Sequence, residues 1–517
     1  VVAPDSIAPF HGEPVALFGP GSIIPLLENL GLSVTRIDDL DSLDPADTSV
    51  CILEANTVVA GSQQNSQVQR FTRAGGRVIV LEQRTSLFPG LELEPGTYLT
   101  VFARDTAHAA LDGLAGEDLC VWTDDPYAAL DSDAHVTHHV YRKADGKHEH
   151  VILETGLGGF GDGDLESVPL FETRDGEGLV IACQLRVSER ADTVPAARRI
   201  LCNLIRRALD FSSTPTDAPL VLDQPAVDDL RAALDRAAAG ETLIVSNCSP
   251  ESLDIISEKS GVTLTPAPES ELYQAVRTDD SEPLLAGLSN YDTCGVETFT
   301  YAHGSPQNSR LIACPLEFAE GLEPLLVTPV KSFLKEMYVC SGKTEPLRAH
   351  TITRLRNFER LPEKIVTGRI QMGKGTVIVN QCIPEDGAPT RLSRATHKLM
   401  TNAGFRFDGS LLDGDAVPEG TPFSSGYPTT LHLLDQPLDD ALRTSLLGCC
   451  EFTGERMPPT QLLHEAAWRQ VNAPDSTFSP PDNRDECWLY FWLNSPTIRK
   501  NLDRSEERRV GKECATG

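Results

Sequence analysis

The sequence is short of positive charge, of aromatic side chains and of long apolar runs. Only 45 lysines and arginines stand against 75 aspartates and glutamates, so the net charge is −30. A surface of this sign repels phosphate backbones and anionic lipids, which argues against nucleic acid and membrane surfaces as partners. No apolar stretch approaches the roughly 18 to 20 residues that cross a bilayer. A soluble protein is therefore expected, with no indication of its compartment.

Cysteine pairs with metal-ligand spacing are also missing. The 13 cysteines form no C-x-x-C pair, and several lie inside apolar runs such as VCILEA and VIACQL, as buried free thiols do. The opening residues, VVAPDSIAPF, contain no methionine and no signal-peptide pattern. No zinc site, disulfide framework or cofactor is indicated, and we expect a fragment that lacks its flanking sequence.

Residues 15 to 83 alternate short apolar runs with helical patterns. VALFG, SVTRI, SVCILEA and RVIVLEQ are typical of strands, whereas GSIIPLLENLG and SQVQRFTRAGG are typical of helices. Strands separated by helices of about ten residues indicate parallel βαβ units. The sequence therefore predicts an α/β fold with a doubly wound sheet.

A hairpin is predicted where Asp145-Gly146 separates two alternating runs, with Arg142 opposite Glu149. Five histidines lie in this segment: His135, His138, His139, His148 and His150. In the hairpin register the last three share one face, a tolerable geometry for metal ligands. No carboxylate on that face completes a shell, so a solvated strand face is the preferred interpretation and a metal site is the alternative.

Three segments occur twice in the same order. GGRVIV (75–80) is echoed by GETLIV (240–245), HAALDGLAGEDLC (108–120) by EPLLAGLSNYDTC (282–294), and GEGLVIACQ (176–184) by GKGTVIVNQ (373–381). The offset between copies grows along the chain, which places extra loop in the second copy. We predict two tandem domains, 1–212 and a diverged 220–408, joined by a Ser-, Thr- and Pro-rich linker at 213–219.

Polar residues end several of the predicted strands. Glu54, Glu82 and Glu154 follow or end apolar runs, and Gln184 and Gln381 end the two copies of one strand. Ligands of α/β sheets usually bind at this edge, where paired carboxylates would suit a glycosidase. The glutamines are interpreted first as strand-end hydrogen-bonding residues and second as ligand contacts.

The last part of the chain differs in composition from the two predicted domains. Residues 409–503 are rich in loops, and in ECWLYFWLNSP the side chains of Trp488, Tyr490 and Trp492 share one strand face. A sandwich core is the preferred interpretation of that face and carbohydrate contact is the alternative. Within the tail 504–517, RSEERRVGKEC resembles the translated read-through of a sequencing adapter and is set aside as an artefact.

The order of strands and helices resembles that of class I glutamine amidotransferases. In that family the nucleophilic cysteine sits on a glycine-flanked elbow after a strand, but VCILEANTVVAG places Cys51 inside its strand. No His-x-Glu follows at a matching late position. The resemblance implies an amidotransferase-like, flavodoxin-like fold without amidotransferase chemistry.

A second resemblance covers most of residues 1–500. HAALDGLAGEDLCVW, followed by VPLFETRDGEGLVIACQL and an Ala-Arg-Arg helix, resembles the amidotransferase-like domains downstream of the catalytic barrel in bacterial family 2 glycoside hydrolases of the β-galactosidase-like type. AAWRQVNAPDSTFSPPDNRDECWLYFWLNSP is similar to the first strands of the galactose-binding-like β-sandwich that often follows. The implied fold is two tandem α/β domains and a truncated β-sandwich.

This resemblance implies a non-catalytic accessory segment of a carbohydrate-active enzyme. The barrel supplies the two catalytic glutamates in such proteins, and no segment here matches it, so no catalytic residue is carried over. The segment would scaffold the enzyme, border its active site or assemble oligomers, with carbohydrate bound by the parent protein. One alternative is a stand-alone hydrolase that uses strand-end carboxylates, and another is a glycan-binding module that uses the Trp488 face.

Overall fold

The computed structural model describes residues 8–123, 134–155, 167–213, 218–267, 275–279, 282–288, 292, 296–298, 307–308, 315–328, 364–382 and 391–414. The predictions for 415–517, among them the aromatic face of Trp488, Tyr490 and Trp492, lie outside the described residues. Among the described helices, none combines the length and hydropathy that a bilayer span requires.

The first part of the chain is mixed α/β and builds one ten-stranded sheet. Its strands are β1 Pro14–Phe18, β2 Ser33–Ile37, β3 Val50–Leu53, β4 Arg77–Val80, β5 Leu93–Tyr98, β6 Phe102–Ala103, β7 Thr137–Arg142, β8 Glu149–Thr155, β9 Ser167–Asp175 and β10 Gly178–Cys183. Its helices are α1 Ile24–Asn29, α2 Gln64–Arg73, α3 Val187–Arg190 and α4 Pro195–Asp210. Strands β2-β1-β3-β4-β10 are parallel, and β9, β7 and β5 extend the sheet antiparallel, with β8 between β9 and β6.

The second part builds a six-stranded sheet. Its elements are β11 Leu220–Asp223, α5 Val227–Ala239, β12 Thr242–Ser246, α6 Pro250–Ser260, β13 Val276–Arg277, β16 Leu322–Val327, β17 Ile365–Met372, β18 Gly375–Asn380 and α7 Arg391–Asn402, and a separate two-stranded ribbon consists of β14 Val296–Thr298 and β15 Gln307–Asn308. The order is β11-β12-β18-β17-β16-β13, parallel across β11, β12 and β18 and antiparallel beyond. Both sheets therefore have a parallel part that continues into an antiparallel part.

Strand β10 has no charged residue and can therefore lie in the middle of the first sheet. All six of its residues are buried there. Parallel strands covered on both faces read as continuous apolar runs rather than alternating ones. Leu179 and Ile181 belong to one core, and Val180 and Ala182 belong to the core on the other face. Helix α4 covers the first of these cores with its apolar side.

The echoed segments occupy matching positions in the two sheets. Leu179 of β10 pairs with Arg77 of β4. At the equivalent positions of the second copy, Thr376 of β18 pairs with Thr242 of β12. Both pairs are parallel. In each sheet an antiparallel strand, β9 or β17, lies on the other side of the echoed strand.

The helices that follow the echoed strands also make matching contacts. The Asn203 side chain on α4 donates to the carbonyl of Asp112 at 2.9 Å. The Asn402 side chain on α7 donates to the carbonyl of Ala286 at 2.8 Å. Each bond ties the helix to a short 3-10 turn of an echoed segment, Ala109–Leu111 in the first case and Pro283–Leu285 in the second.

The second glycine of each echoed Gly-x-Gly leaves no room for a side chain. A Cβ on Gly178 would lie 2.3 Å from two backbone carbonyl oxygens, and one on Gly375 would lie 2.2 Å from two. Because backbone yields less readily than a side chain, we expect Gly178→Ala and Gly375→Ala each to lower the free energy of unfolding by about 1–3 kcal/mol. Urea unfolding measures both changes, and an effect confined to one glycine would show that the two positions are not equivalent.

The hairpin predicted at Asp145-Gly146 is not formed, and the predicted pairing of Arg142 with Glu149 is wrong. Strands β7 and β8 both pair with β9, where Arg142 lies opposite Ser167, and they do not pair with each other within the described residues. Strand β9 is nine residues long and mostly buried. It offers both strands more buried pairing surface than an isolated two-stranded hairpin provides.

Candidate functional site

Glu54 follows β3 and lies under the loop that begins helix α1. Its carboxylate accepts hydrogen bonds from the backbone N–H of Gly21 at 2.6 Å and of Ile23 at 3.0 Å, and from the Ser22 hydroxyl. Only 1% of Glu54 is exposed. Backbone donors at a helix start need acceptors, and an anion is favourable there. These contacts make Glu54 a cap for the loop and helix.

Cys51, the residue compared with an amidotransferase nucleophile, lies inside β3 and is fully buried. Burial raises the pKa of its thiol to about 12. The nucleophilic form of cysteine is the thiolate. Cys51 is therefore an inert core thiol at neutral pH.

Glu82 follows β4 and reaches the start of α3. Its Oε1 accepts hydrogen bonds from the backbone N–H of Ser188 at 3.0 Å and from the Ser188 hydroxyl at 2.9 Å. Its Oε2 is buried and has no hydrogen-bond partner among the residues that the structure describes. Burial raises the pKa of Glu82 to about 7. Its carboxyl group can therefore carry a proton near neutral pH.

Gln184 and Gln381 make the same hydrogen bond at the same place of the two sheets. The Oε1 of Gln184 accepts from the backbone N–H of Gln83 at 3.0 Å, and the Oε1 of Gln381 accepts from that of Cys248 at 2.8 Å. Both glutamines are buried. Each bond ties the end of an echoed strand to the loop after its parallel neighbour, which is the strand-end role preferred from the sequence.

Glu154 lies on β8, in the antiparallel part of the sheet, and the structure does not place it at the edge formed by β3 and β4. Its carboxylate oxygens lie 2.7 Å from Arg104 Nε and 2.5 Å from Lys143 Nζ. The Oδ1 of Asp292 lies 3.7 Å from Lys143 Nζ and 3.6 Å from Arg394 Nε. None of these five residues is more than 1% exposed. They form a buried ion network that joins the first sheet to helix α7.

The histidines between 135 and 150 face different partners. The rings of His135 and His138 lie 5.7 Å apart, whereas His150 contacts Asp105 and Lys398. In the described part of the chain, no group of three or more His, Cys, Asp or Glu side chains is arranged to hold a metal ion. His150 belongs instead to a cleft between the first sheet and helix α7.

This cleft is a cavity of about 540 Å³ between the first sheet and helix α7. Along it, the Nε2 of His150 lies 2.8 Å from Asp105 Oδ2, and Lys398 Nζ lies 3.0 Å from His150 Nδ1. Burial lowers the pKa of His150 and lowers that of Lys398 to about 8. The ammonium therefore donates to a neutral imidazole, which in turn donates to Asp105.

A second charged group lies beside this chain. Glu172 on β9 accepts two hydrogen bonds from Arg207 of α4, at 2.9 and 2.7 Å, and lies 3.2 Å from His108 Nε2. Burial opposes ionisation, but the hydrogen bonds from His108 and Arg207 hold the pKa of Glu172 well below its usual range. At the matching places of the second sheet, Arg369 pairs with Glu282 at 3.1 Å. Arg369 occupies the position of Glu172, and Glu282 occupies that of His108. The strand residue of the pair is therefore acidic in the first sheet and basic in the second.

Sequence reasoning missed the cleft residues Asp105, His108, Glu172 and Lys398. One faint signal exists, because His108 and Glu282 open the two copies of an echoed segment. Each side chain accepts a hydrogen bond from the backbone N–H two residues later, at 3.1 Å in both cases. A polar residue at the same place of both copies indicates that its side chain caps the turn in each. The change from histidine to glutamate indicates that the two turns have different neighbouring residues.

No protein-family model and no curated protein matches this chain. Among solved structures it is similar to the exo-beta-1,4-mannosidase Op5Man5 from Opitutaceae bacterium strain TAV5, with 12% identity, a TM-score of 0.24, and coverage of 39% of this chain and 36% of that one. It is similar to a ThuA-like protein from Parabacteroides merdae, with 14% identity, a TM-score of 0.26, and coverage of 40% and 93%. It is also similar to the carbohydrate deacetylase Agd3, with 10% identity, a TM-score of 0.27, and coverage of 50% and 46%. The alignment thus spans about a third of the mannosidase, and TM-scores this low support no inference about activity.

Proposed function

We propose that this chain is a non-catalytic accessory segment of a carbohydrate-active enzyme. Residues 1–212 and 220–408 are two diverged amidotransferase-like domains joined by the linker 213–219, and 409–503 begins a galactose-binding-like sandwich. Catalysis and the main sugar contacts belong to a glycoside-hydrolase barrel elsewhere in the parent protein. The segment acts as a rigid scaffold that supports the barrel or assembles copies of the enzyme.

The observation that carries this proposal is the set of hydrogen bonds made by the strand-end side chains. Glu54, Gln184 and Gln381 stand where α/β folds place ligand contacts, but their acceptor oxygens take hydrogen bonds from nearby loops. The matching bond of the two glutamines supports a structural role, since a substrate site would need only one of them. Buried polar groups that are satisfied in this way stabilise loops and leave little capacity for a substrate.

One strand-end group favours a rival function, a hydrolase that uses its own carboxylates. A pKa of about 7 and an oxygen without a hydrogen-bond partner in the described structure suit Glu82 to general acid catalysis. Glycosidases need a second carboxyl group within roughly 5 to 10 Å. Glu189 lies close enough to raise the pKa of Glu82, but it pairs with Arg186 at 2.8 Å. Glu54 is a second candidate, since the Gln83 side chain donates to its backbone carbonyl at 2.9 Å.

The test is turnover by the chain as it stands. Purified protein is assayed with chromogenic α- and β-glycosides and with acetyl esters, beside Glu54→Gln, Glu82→Gln and the exposed control Glu28→Gln. The accessory proposal predicts no turnover above buffer in any sample. Turnover by the wild-type chain that falls at least about a hundredfold in Glu82→Gln and persists in Glu28→Gln would establish the rival.

A further inference from the structure

The cleft between the first sheet and helix α7 has two arginines that make no direct ion pair within the described residues, although Glu172 and Glu177 act on Arg174 from further away. Arg174 and Arg406 line the cavity, and within the described residues neither guanidinium makes a hydrogen bond or an ion pair. Burial and the nearby Arg406 lower the pKa of Arg174, so the two like charges lie close enough to repel. Both arginines are exposed, and the Arg174 guanidinium also lies 5.4 Å from the centroid of the Phe211 ring. Water therefore solvates them, and their guanidinium groups are accessible to an anion in the cavity.

Two of the three acids that line the cavity are paired with cationic or imidazole side chains. Glu172 is held by Arg207 and His108, and Asp105 accepts from His150. The Oε1 of Glu149 accepts from a backbone N–H at 2.9 Å. The other oxygen of Glu149, Oε2, is buried and has no hydrogen-bond partner in the described structure. The exposed groups with free hydrogen-bonding capacity on the cavity wall therefore include the two arginines.

A buried ammonium adds to the positive potential. Lys398 is 4% exposed and lines the same cavity. It donates to His150 Nδ1 at 3.0 Å and approaches the Glu149 carbonyl at 3.4 Å, and no described carboxylate lies within 4 Å of it. The carboxylates of Glu149, Asp105 and Glu172 already favour its charged form from further away, and an anion in the cavity would add to that stabilisation.

One wall of the cavity is apolar. Phe405 and Phe407 line it, with ring centroids 4.9 Å apart and the rings edge to face. A volume of about 540 Å³ falls within the range of small-molecule sites and accommodates one or two sugar rings. Aromatic faces with polar groups around them fit a sugar ring, which has apolar C–H faces and a hydroxylated edge.

We propose that this cleft binds a sugar that carries an anionic group, a carboxylate or a phosphate. Arg174 and Arg406 hold the anion, with the fork geometry that suits both groups, and the ring packs on Phe405 and Phe407. The sugar part of the ligand rests on the proposed function, whereas the anionic part rests on the cavity alone. The site needs both parts of the chain, because Arg174 lies on β9 and the other three residues follow α7.

Isothermal titration calorimetry on the whole chain tests this at pH 7 and low salt. The probes are glucuronate, galacturonate and galactose 6-phosphate, with glucose, galactose and inorganic phosphate for comparison. We expect an anionic sugar to bind at least about tenfold more tightly than its neutral counterpart and than inorganic phosphate. Arg174→Gln and Arg406→Gln, both at exposed side chains, should each weaken it about tenfold, and the control Arg84→Gln, outside the cavity, should not.

Each outcome is decisive. Binding of uronates alone, or of the sugar phosphate alone, supports the proposal and identifies the anionic group. Equal affinity for neutral sugars, equal affinity for inorganic phosphate, unchanged affinity in both cleft variants, or no binding of any probe overturns it. Glycoside turnover is measured separately, so the two proposals can fail independently. A chain that neither turns over glycosides nor binds anionic sugars refutes the proposed binding site alone. A chain that turns over glycosides and binds anionic sugars refutes the accessory role alone.

Discussion

Replacing Glu154 by glutamine is expected to lower the free energy of unfolding by about 3–5 kcal/mol. The carboxylate is fully buried, with oxygens 2.7 Å from Arg104 Nε and 2.5 Å from Lys143 Nζ. Glutamine keeps the shape of the side chain but not its charge. Arg104 then loses this counter-ion, and Lys143 loses its contact at 2.5 Å while it keeps Asp292 at 3.7 Å. The loss of a counter-ion is costly for a buried charge. Urea unfolding followed by circular dichroism measures the change.

Asp38→Asn is the matched control. Asp38 also pairs with an arginine, Arg36, at 3.3 Å, but their side chains are 90% and 51% exposed. An exposed pair of this kind contributes about 0–1 kcal/mol. If Glu154→Gln were no more destabilising than this control, the network would not hold the two sheets together. Replacing Glu154, Arg104 and Lys143 together by apolar residues of similar size should restore much of the loss.

Glu82→Gln is expected to stabilise the protein at alkaline pH and to have little effect at acid pH. The pKa of Glu82 is raised from an ordinary value of 4.5 to about 7 in the folded protein. Between these values the unfolded chain has lost the proton that the folded protein keeps, so stability falls as pH rises from about 4.5 to 7. Glutamine cannot ionise, and the variant escapes this loss.

The expected gain for Glu82→Gln is about 3 kcal/mol at pH 8 and under about 1 kcal/mol at pH 5. Urea unfolding of wild type and variant at both pH values gives the two differences. Glu92→Gln, at an exposed glutamate, is the control and should shift both by the same small amount. A Glu82→Gln difference that does not depend on pH would mean that the carboxyl group is ionised in the folded protein throughout this range.

Much of the fold could be predicted from residues 15–83 and from the echoed strands. Buried parallel strands have few charges and read as apolar runs between helices, which is a local signal. The hairpin at Asp145-Gly146 failed for a non-local reason. Strand β9 lies later in the chain, and its buried pairing with both β7 and β8 outweighs a local turn preference. The antiparallel half of each sheet has no comparable local signal.

The site was less predictable than the fold. Strand-end residues such as Glu54 and Gln184 could be found because strand ends are visible in the sequence. Asp105 lies in a loop and Glu172 lies on an antiparallel strand, both in the first part of the chain. Lys398 lies on a helix in the second part. Only docking of the two parts brings them together, and no sequence pattern encodes that geometry.

The proposed anionic-sugar site and the proposed scaffold role depend on the same contact between the first sheet's part of the chain and helix α7. Lys398 reaches His150 across it at 3.0 Å, and the ring nitrogen of His397 lies 2.7 Å from the carbonyl of Asp145. Without this contact the cavity would lose the wall that carries Arg406 and the two phenylalanines. A scaffold made of two loosely tethered domains would likewise transmit no fixed geometry to an attached barrel.

Hydrogen exchange by mass spectrometry tests this contact most directly. Amides of β10 (Gly178–Cys183) and β18 (Gly375–Asn380) report the opening of the first and the second sheet. Two sheets locked by buried charges are expected to open together, with opening free energies within about 1 kcal/mol of each other. Exchange of β18 at a free energy several kcal/mol below that of β10 would show that the second sheet opens alone, which would contradict a rigid accessory segment.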